Sequence, residues 1–166
     1  HIRERKNKYK VRIRLYVNSN ICFLEIKKKN VHGRTMKMRI QRTSEKWDSP
    51  LTDFEKRFLS ERVPFASELS PVLYISYSRF TLAQLNRCER ITLDTNLTYT
   101  TIQGEISKPL NGLVVVELKQ AETNRRSPLF VFLRSMPERT TQLGRIIKIS
   151  KYVLGRLSSD DSLSPR

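Results

Sequence analysis

At 166 residues the chain can bury one substantial core, and it is too short for two domains to be the default. Lys and Arg number 32 against 16 Asp and Glu, a net charge of +16 that implies a phosphate-rich or otherwise anionic partner. Cys22 and Cys88 lie far apart without CxxC spacing, and His1 and His32 are the only histidines, which argues against a zinc site and a disulfide framework. Apolar runs such as Leu113 to Val116 and Leu129 to Leu133 fall far short of the roughly 20 residues that span a bilayer. Together these features predict a segment with no membrane span in a reducing, cytoplasmic compartment, with an anchored parent chain left open. His1 opens on a charged run with no initiator Met or leader, which predicts a fragment.

Along the chain, period-two alternation of charged and apolar residues predicts strands. Tyr9 to Val17 sets Lys10, Arg12 and Arg14 on one face and Val11, Ile13, Leu15 and Val17 on the other. Cys22 to Lys29 places Glu25 and Lys27 together, and Thr35 to Ile40 aligns Lys37 and Arg39. Asn18-Ser19-Asn20 and Asn30-Val31-His32-Gly33 are short polar links that predict an antiparallel meander. After Ser49-Pro50, the spacing of Leu51, Phe54, Phe58 and Leu59, with Asp53 and Glu55 in the first turn, predicts a short amphipathic helix.

Val72 to Phe80 returns to strand character, Thr81 to Leu85 reads as a helical turn, and Arg87 to Thr98 is a strand carrying Arg90 between apolar neighbours. Thr100 to Ile106 is its predicted hairpin partner, and the turn Pro109-Leu110-Asn111-Gly112 leads to a Val-rich strand from Leu113 to Lys119. Ser127-Pro128 is an N-cap and first-turn pair for a helix to about Met136. Ser150 caps a last helix through Leu157, leaving 158–166 as a disordered polar tail.

Five strands whose charged faces are mostly basic point to a bound anion. Two like charges about 4 Å apart repel by roughly 4 kcal/mol at an effective dielectric near 20, and phosphate oxygens convert that repulsion into charge-assisted hydrogen bonds. Glu117 lies in so apolar a run that a central, poorly solvated carboxylate is expected. Its pairing with Lys119, next but one on the same strand, is not expected, which leaves a cross-strand ion pair or a divalent metal. Mg²⁺ or Mn²⁺ needs few carboxylates when phosphate and water complete the shell. Glu25 and Asp94 are secondary candidates for the same role, or salt-bridge partners. Lys148, Ser150 and Lys151 precede a helix whose free N–H groups would face an anion. With five glycines and neither GxxxxGK[ST] nor GxGxxG, nucleotide-loop motifs are absent, as are HExxH and a nucleophile elbow. His32 falls in a predicted turn, as an exposed loop residue.

Lys10-Val11-Arg12-Ile13-Arg14, Phe23-Leu24-Glu25-Ile26-Lys27, Glu89 to Leu97, Val115-Val116-Glu117-Leu118-Lys119 and Lys148-Ile149-Ser150-Lys151-Tyr152 follow the order and approximate spacing of the VTC domain, a branch of the triphosphate tunnel metalloenzymes with a CYTH-like fold. The resemblance covers roughly Tyr9 to Leu157. It implies an α+β fold in which an antiparallel β-barrel encloses a basic tunnel with helices outside, over a domain spanning 1–157. It implies a polyphosphate polymerase-type enzyme that binds ATP with Mn²⁺ or Mg²⁺ and moves the γ-phosphate onto inorganic polyphosphate. By position, Arg12, Arg14, Lys27, Lys37 and Arg90 would contact phosphates, Glu117 would hold the metal, and Lys148, Ser150 and Lys151 would close one end of the tunnel. Strand phase adds Lys10, Arg39 and Lys119 to the phosphate-binding set. The family's tunnel also uses strands and a lysine before the KVRIR-like motif, so the resemblance implies an N-terminally incomplete tunnel here. The stretch Thr95 to Thr101 lacks a further basic residue that the family often carries.

Two other functions compete. The same cradle with water as acceptor would be a metal-dependent triphosphatase. A polyphosphate or nucleic-acid binder without catalysis suits the charge, but aromatic residues are not expected among the basic faces, which makes nucleic acid the weaker partner.

Overall fold

A computed structural model describes residues 8–84, 89–104, 106–107, 112–135 and 150–159. His1–Ser70 and Pro71–Arg166 form two compact units, each built on its own antiparallel sheet, in an α+β arrangement.

In the first unit, β1 (Lys8–Tyr16), β2 (Ile21–Lys29) and β3 (Thr35–Arg42) form a meander with β2 in the centre. The links are those expected. A 3-10 turn at Val17–Ser19 ends on Asn20 in the left-handed region (φ 49°). At the other end, Asn30 Oδ1 accepts from Arg34 N–H at 2.9 Å and Gly33 supplies φ 78°. The register aligns Lys10, Lys27 and Lys37 in one row, and Arg12, Glu25 and Arg39 in the next. Directly opposed residues share a face, so charged side chains gather on one side of the sheet and Val11, Ile13, Leu24, Ile26, Met38 and Ile40 on the other.

The apolar side packs against α1 (Asp53–Ser60) and the turn that follows it, with Leu24, Ile26, Phe58, Leu59 and Val63 buried as the core. Each fully buried side chain of this kind contributes about 1.5–3 kcal/mol. Thr52 and Glu55 close a capping box at the start of α1. Glu55 also meets Arg42 at 2.9 Å, both side chains almost wholly buried, which fixes the end of β3 to the start of the helix. Phe54, expected on the apolar stripe, is exposed. The helix is two turns long, and its stripe runs through Leu51, Phe58 and Leu59 instead.

In the second unit, β4 (Leu73–Gln84) pairs along the whole of β5 (Glu89–Thr101). On the other edge of β5, β7 (Val115–Lys119) pairs with residues 90–94, and the two-residue β6 (Ile106–Ser107) pairs with Tyr99 and Thr100. The helical turn expected over Thr81 to Leu85 is not formed: Thr81 to Gln84 continue β4, because their backbone groups find ladder partners on Glu89 to Thr92. Between the pairs Ser76/Thr98 and Ser78/Thr95, β5 carries one extra residue, and Asn96 there has φ 53°. This β-bulge reverses the phase of the strand. Asp94, Thr92 and Arg90 therefore share a face with Leu97 and Tyr99, against the simple alternation.

On that face Leu97, Tyr99 and Val115 are buried with Leu73, Ile75, Tyr77 and Leu113, and α3 (Lys151–Ser159) adds Leu154. Gly155 is buried in α3 at a point where an added Cβ would lie 2.6 Å from Tyr99 Cε1 and closer still to Tyr99 Cδ1 and Leu73 Cδ2. The helix α2 (Pro128–Ser135) starts as expected, with Ser127 Oγ accepting from Phe130 N–H at 3.1 Å. The expected tail loses its first two residues to α3, which runs through Ser159; 160–166 lie outside the described residues, as do Arg87, Cys88 and the turn residues 109–111. The described strands form two antiparallel sheets rather than one closed ladder. Among the described residues no helix is long and apolar enough to cross a membrane.

Candidate functional site

The charged face of the first sheet carries Lys8, Lys10, Arg12, Arg14, Lys27, Lys29, Lys37 and Arg39 in neighbouring rows, with Glu25 among them. Every phosphate-site residue expected from the first three strands therefore lies on one face. Glu25 is fully buried. Arg12 donates to its Oε2 from Nε at 2.8 Å and from Nη2 at 2.6 Å, and the Lys37 ammonium lies 2.7 Å from Oε1. Burial alone would raise the Glu25 pKa, but the bonds from Lys37 and Arg12, with the Arg14 charge behind them, hold it down at about 2. It is a fixed anion that keeps adjacent cations together.

Two aromatic side chains also lie on this face, contrary to expectation. Strand phase puts Tyr16 with Arg14, and Phe23 with Glu25. The Arg39 guanidinium lies 4.2 Å over the Phe23 ring, and Tyr16 meets Phe23 edge to face at 6.4 Å.

The second unit holds the remaining candidates. Arg90, Thr92 and Asp94 stand directly across from Lys119, Glu117 and Val115. Asp94 is buried, chelated by Arg79 at 2.5 and 2.7 Å, and in close ion-pair contact with Lys151. Burial would raise its pKa, but the bonds from Arg79 and Lys151 outweigh this and lower it. The bond to Asp94 raises the Arg79 pKa. Lys151, expected to meet phosphate, is thus seated on a carboxylate, and both cations lie over the Tyr77 ring, at 5.3 Å for Arg79 and 5.1 Å for Lys151. Sequence reasoning missed Arg79, whose odd-numbered phase on β4 matches Asp94 only through the bulge.

Glu117 departs from expectation twice. It is about half exposed, and it pairs with Lys119 at 3.5 Å. Because β7 pairs only with β5 among the described strands, the carboxylate stands near an open edge rather than in the sheet centre. Side chains two apart on a strand share a face, and a lysine is long enough to turn back across that spacing. Arg90 and Lys119 also line a cleft of about 400 Å³ with Gln84, Glu89 and Gln120. Ser150 accepts from Leu154 N–H through its carbonyl at 3.0 Å as α3 begins, and Lys148 lies outside the described residues. His32 is exposed in its turn, as expected.

Among the described residues no three of His, Cys, Asp or Glu gather to hold a metal. Glu25 and Asp94, the secondary metal candidates, are each taken up by two cations. Glu117 keeps a solvent-facing carboxylate, and the buried Thr92 hydroxyl opposite it has no hydrogen-bond partner. Oxygen donors of this kind fit Mg²⁺ or Mn²⁺, provided that phosphate and water supply most of the shell.

Comparison with curated proteins gave no match, and neither did comparison with solved structures. The family model of the VTC domain matches residues 1–159. That match covers nearly the whole chain, and the chain belongs to the VTC domain family.

Proposed function

We propose that the chain is a polyphosphate polymerase-type phosphotransferase that moves the γ-phosphate of ATP onto an inorganic polyphosphate chain. In this reading the cationic strand faces line the tunnel of an antiparallel β-barrel. The observation that carries it is the face of β1 to β3, which eight cations share with one buried carboxylate. Such a face is costly without an anion and well suited to a row of phosphates. Family membership, associated with polyphosphate, supports the same reading.

On the first sheet Arg12, Arg14, Lys27 and Lys37 take the phosphates of ATP, with Lys10 and Arg39 beside them, while Arg90, Lys119, Lys148, Ser150 and Lys151 are the phosphate contacts proposed for the second unit. A terminal oxygen of polyphosphate attacks the γ-phosphorus, the bond from that phosphorus to the β,γ-bridging oxygen breaks, and the electron pair leaves on ADP. No general base is needed because the acceptor is already ionised. Catalysis then rests on positioning and charge neutralisation. Glu117 would hold Mn²⁺ or Mg²⁺ against phosphate oxygens, where the ion would neutralise charge on the β- and γ-phosphates.

Incubation with ATP and Mn²⁺ should yield long-chain polyphosphate; release of orthophosphate alone would instead assign a triphosphatase. Glu117→Gln should lower metal-dependent turnover by roughly 10²-fold or more and leave the melting temperature unchanged, because the side chain is half exposed. Undiminished turnover with Mn²⁺ would remove Glu117 from the metal site.

A further inference from the structure

The charged face of the first sheet is not uniform along its strands. At one end every cation is a lysine, with Lys8 opposite Lys29 beside Thr35, and Lys10, Lys27 and Lys37 in the next row. At the other end Arg14, Phe23 and Gln41 form a row, and Tyr16 lies beyond it. Arg14 donates to the Tyr16 hydroxyl at 3.2 Å and lies 5.5 Å over its ring. Phe23 gains nothing from the hydrophobic core, which is on the opposite side of the sheet. Its ring is covered instead by the Arg39 guanidinium, and Arg39 and Gln41 are both exposed.

We propose that the Tyr16, Phe23 and Arg39 cluster is a nucleobase subsite that fixes the direction in which a nucleoside triphosphate lies along this face. A guanidinium plane already stacked on Phe23 offers its outer surface to a base, and bases stack readily on arginine and aromatic planes. The Gln41 amide in the adjoining row can both donate to and accept from a base edge. From Phe23 to Lys27 is four residues of one strand, about 13 Å. That length takes a ribose and leads the phosphates past Arg12 and Arg14 to the lysine end, so the terminal phosphate comes to rest between Lys27 and Lys37. The inference rests on the phosphate-binding reading of this face and adds the place of the base. The stack commits to a free nucleotide rather than a nucleic acid because the lysine rows beyond it present charge without further aromatic planes.

The experiment compares affinities for ATP, inorganic tripolyphosphate and a single-stranded oligonucleotide, in the unaltered chain, Phe23→Leu and Tyr16→Leu. ATP should bind roughly tenfold tighter than tripolyphosphate in the unaltered chain, the increment of one stacked base. Phe23→Leu should erase that preference with tripolyphosphate affinity retained and a cooperative melt intact, and Tyr16→Leu should reduce it. Equal binding of ATP and tripolyphosphate would overturn the base subsite alone, as would a preference that survives both substitutions. Failure of tripolyphosphate to bind would overturn the phosphate reading with it. Tighter binding of the oligonucleotide than of ATP would reassign the platform to nucleic acid and end the proposal.

Discussion

Glu25 is the residue on which the charged face of the first sheet turns. Removing a carboxylate from water costs several kcal/mol, and the cost is met here by Arg12 and Lys37, which remain about 40% exposed at their own positions. With its pKa held at about 2 against an ordinary 4.5, Glu25 favours the folded state above the ordinary value. That contribution declines as pH falls from about 4.5 towards 2, because the unfolded chain takes up the proton first. Asp94, also lowered, acts in the same sense. Acid titration followed by circular dichroism should therefore show stability falling below pH 4.5, and Glu25→Gln should flatten the part of that dependence due to this residue. An unchanged acid limb in the variant would mean that the clamp does not contribute. None of this pairing is visible in a single strand. It depends on register, which the turns at Asn20 and Gly33 set.

At the scale of elements, β1 to β3 were legible because their alternation is strict, and α1 to α3 because each begins with a recognisable first turn. The strand expected over Thr100 to Ile106 is not formed: Thr100 and Thr101 end β5, and β6 is only Ile106–Ser107. The segment from Thr81 to Gln84 was not legible either. Its Leu and Ala residues suit a helix, but pairing with β5 overrides that local preference. The aromatic residues on the basic face follow from phase alone, whereas the solvation of Glu117 depends on how many partners β7 has. The seat of α3 was illegible for another reason: Gly155 reads as a weak point in a helix until Tyr99 and Leu73 are seen against it. Gly155→Ala should push α3 off the sheet at a cost of about 1–3 kcal/mol, and should loosen Lys151 from Asp94 one turn earlier on the same helix. Thermal melting and phosphate affinity should fall together. A normal melting temperature would show that the rings can move aside.

For the whole molecule, the excess of positive charge was plain from composition, and it is the ground for proposing an anionic partner. The placement of the cations was only partly so, since Arg79 and the seating of Lys151 depend on folding. A net charge of +16, with eight cations on one face of the first sheet, makes association strongly sensitive to ionic strength. Affinity for polyphosphate should drop by roughly a hundredfold between 50 and 200 mM salt, in the manner of other polyanion contacts. Binding that hardly varies with salt would point to recognition by shape instead. The extra residue at Asn96 has a consequence for how this chain can be altered. Because it exchanges the parity of β5 midway, side chains before it address the ionic end of one surface and side chains after it address the greasy end. The two ends can then diverge separately in sequence. Deleting that single residue would remove the bulge and restore plain alternation, with Leu97 and Tyr99 still on the side of Asp94. Losing a residue elsewhere in the strand would instead turn one end to the wrong side.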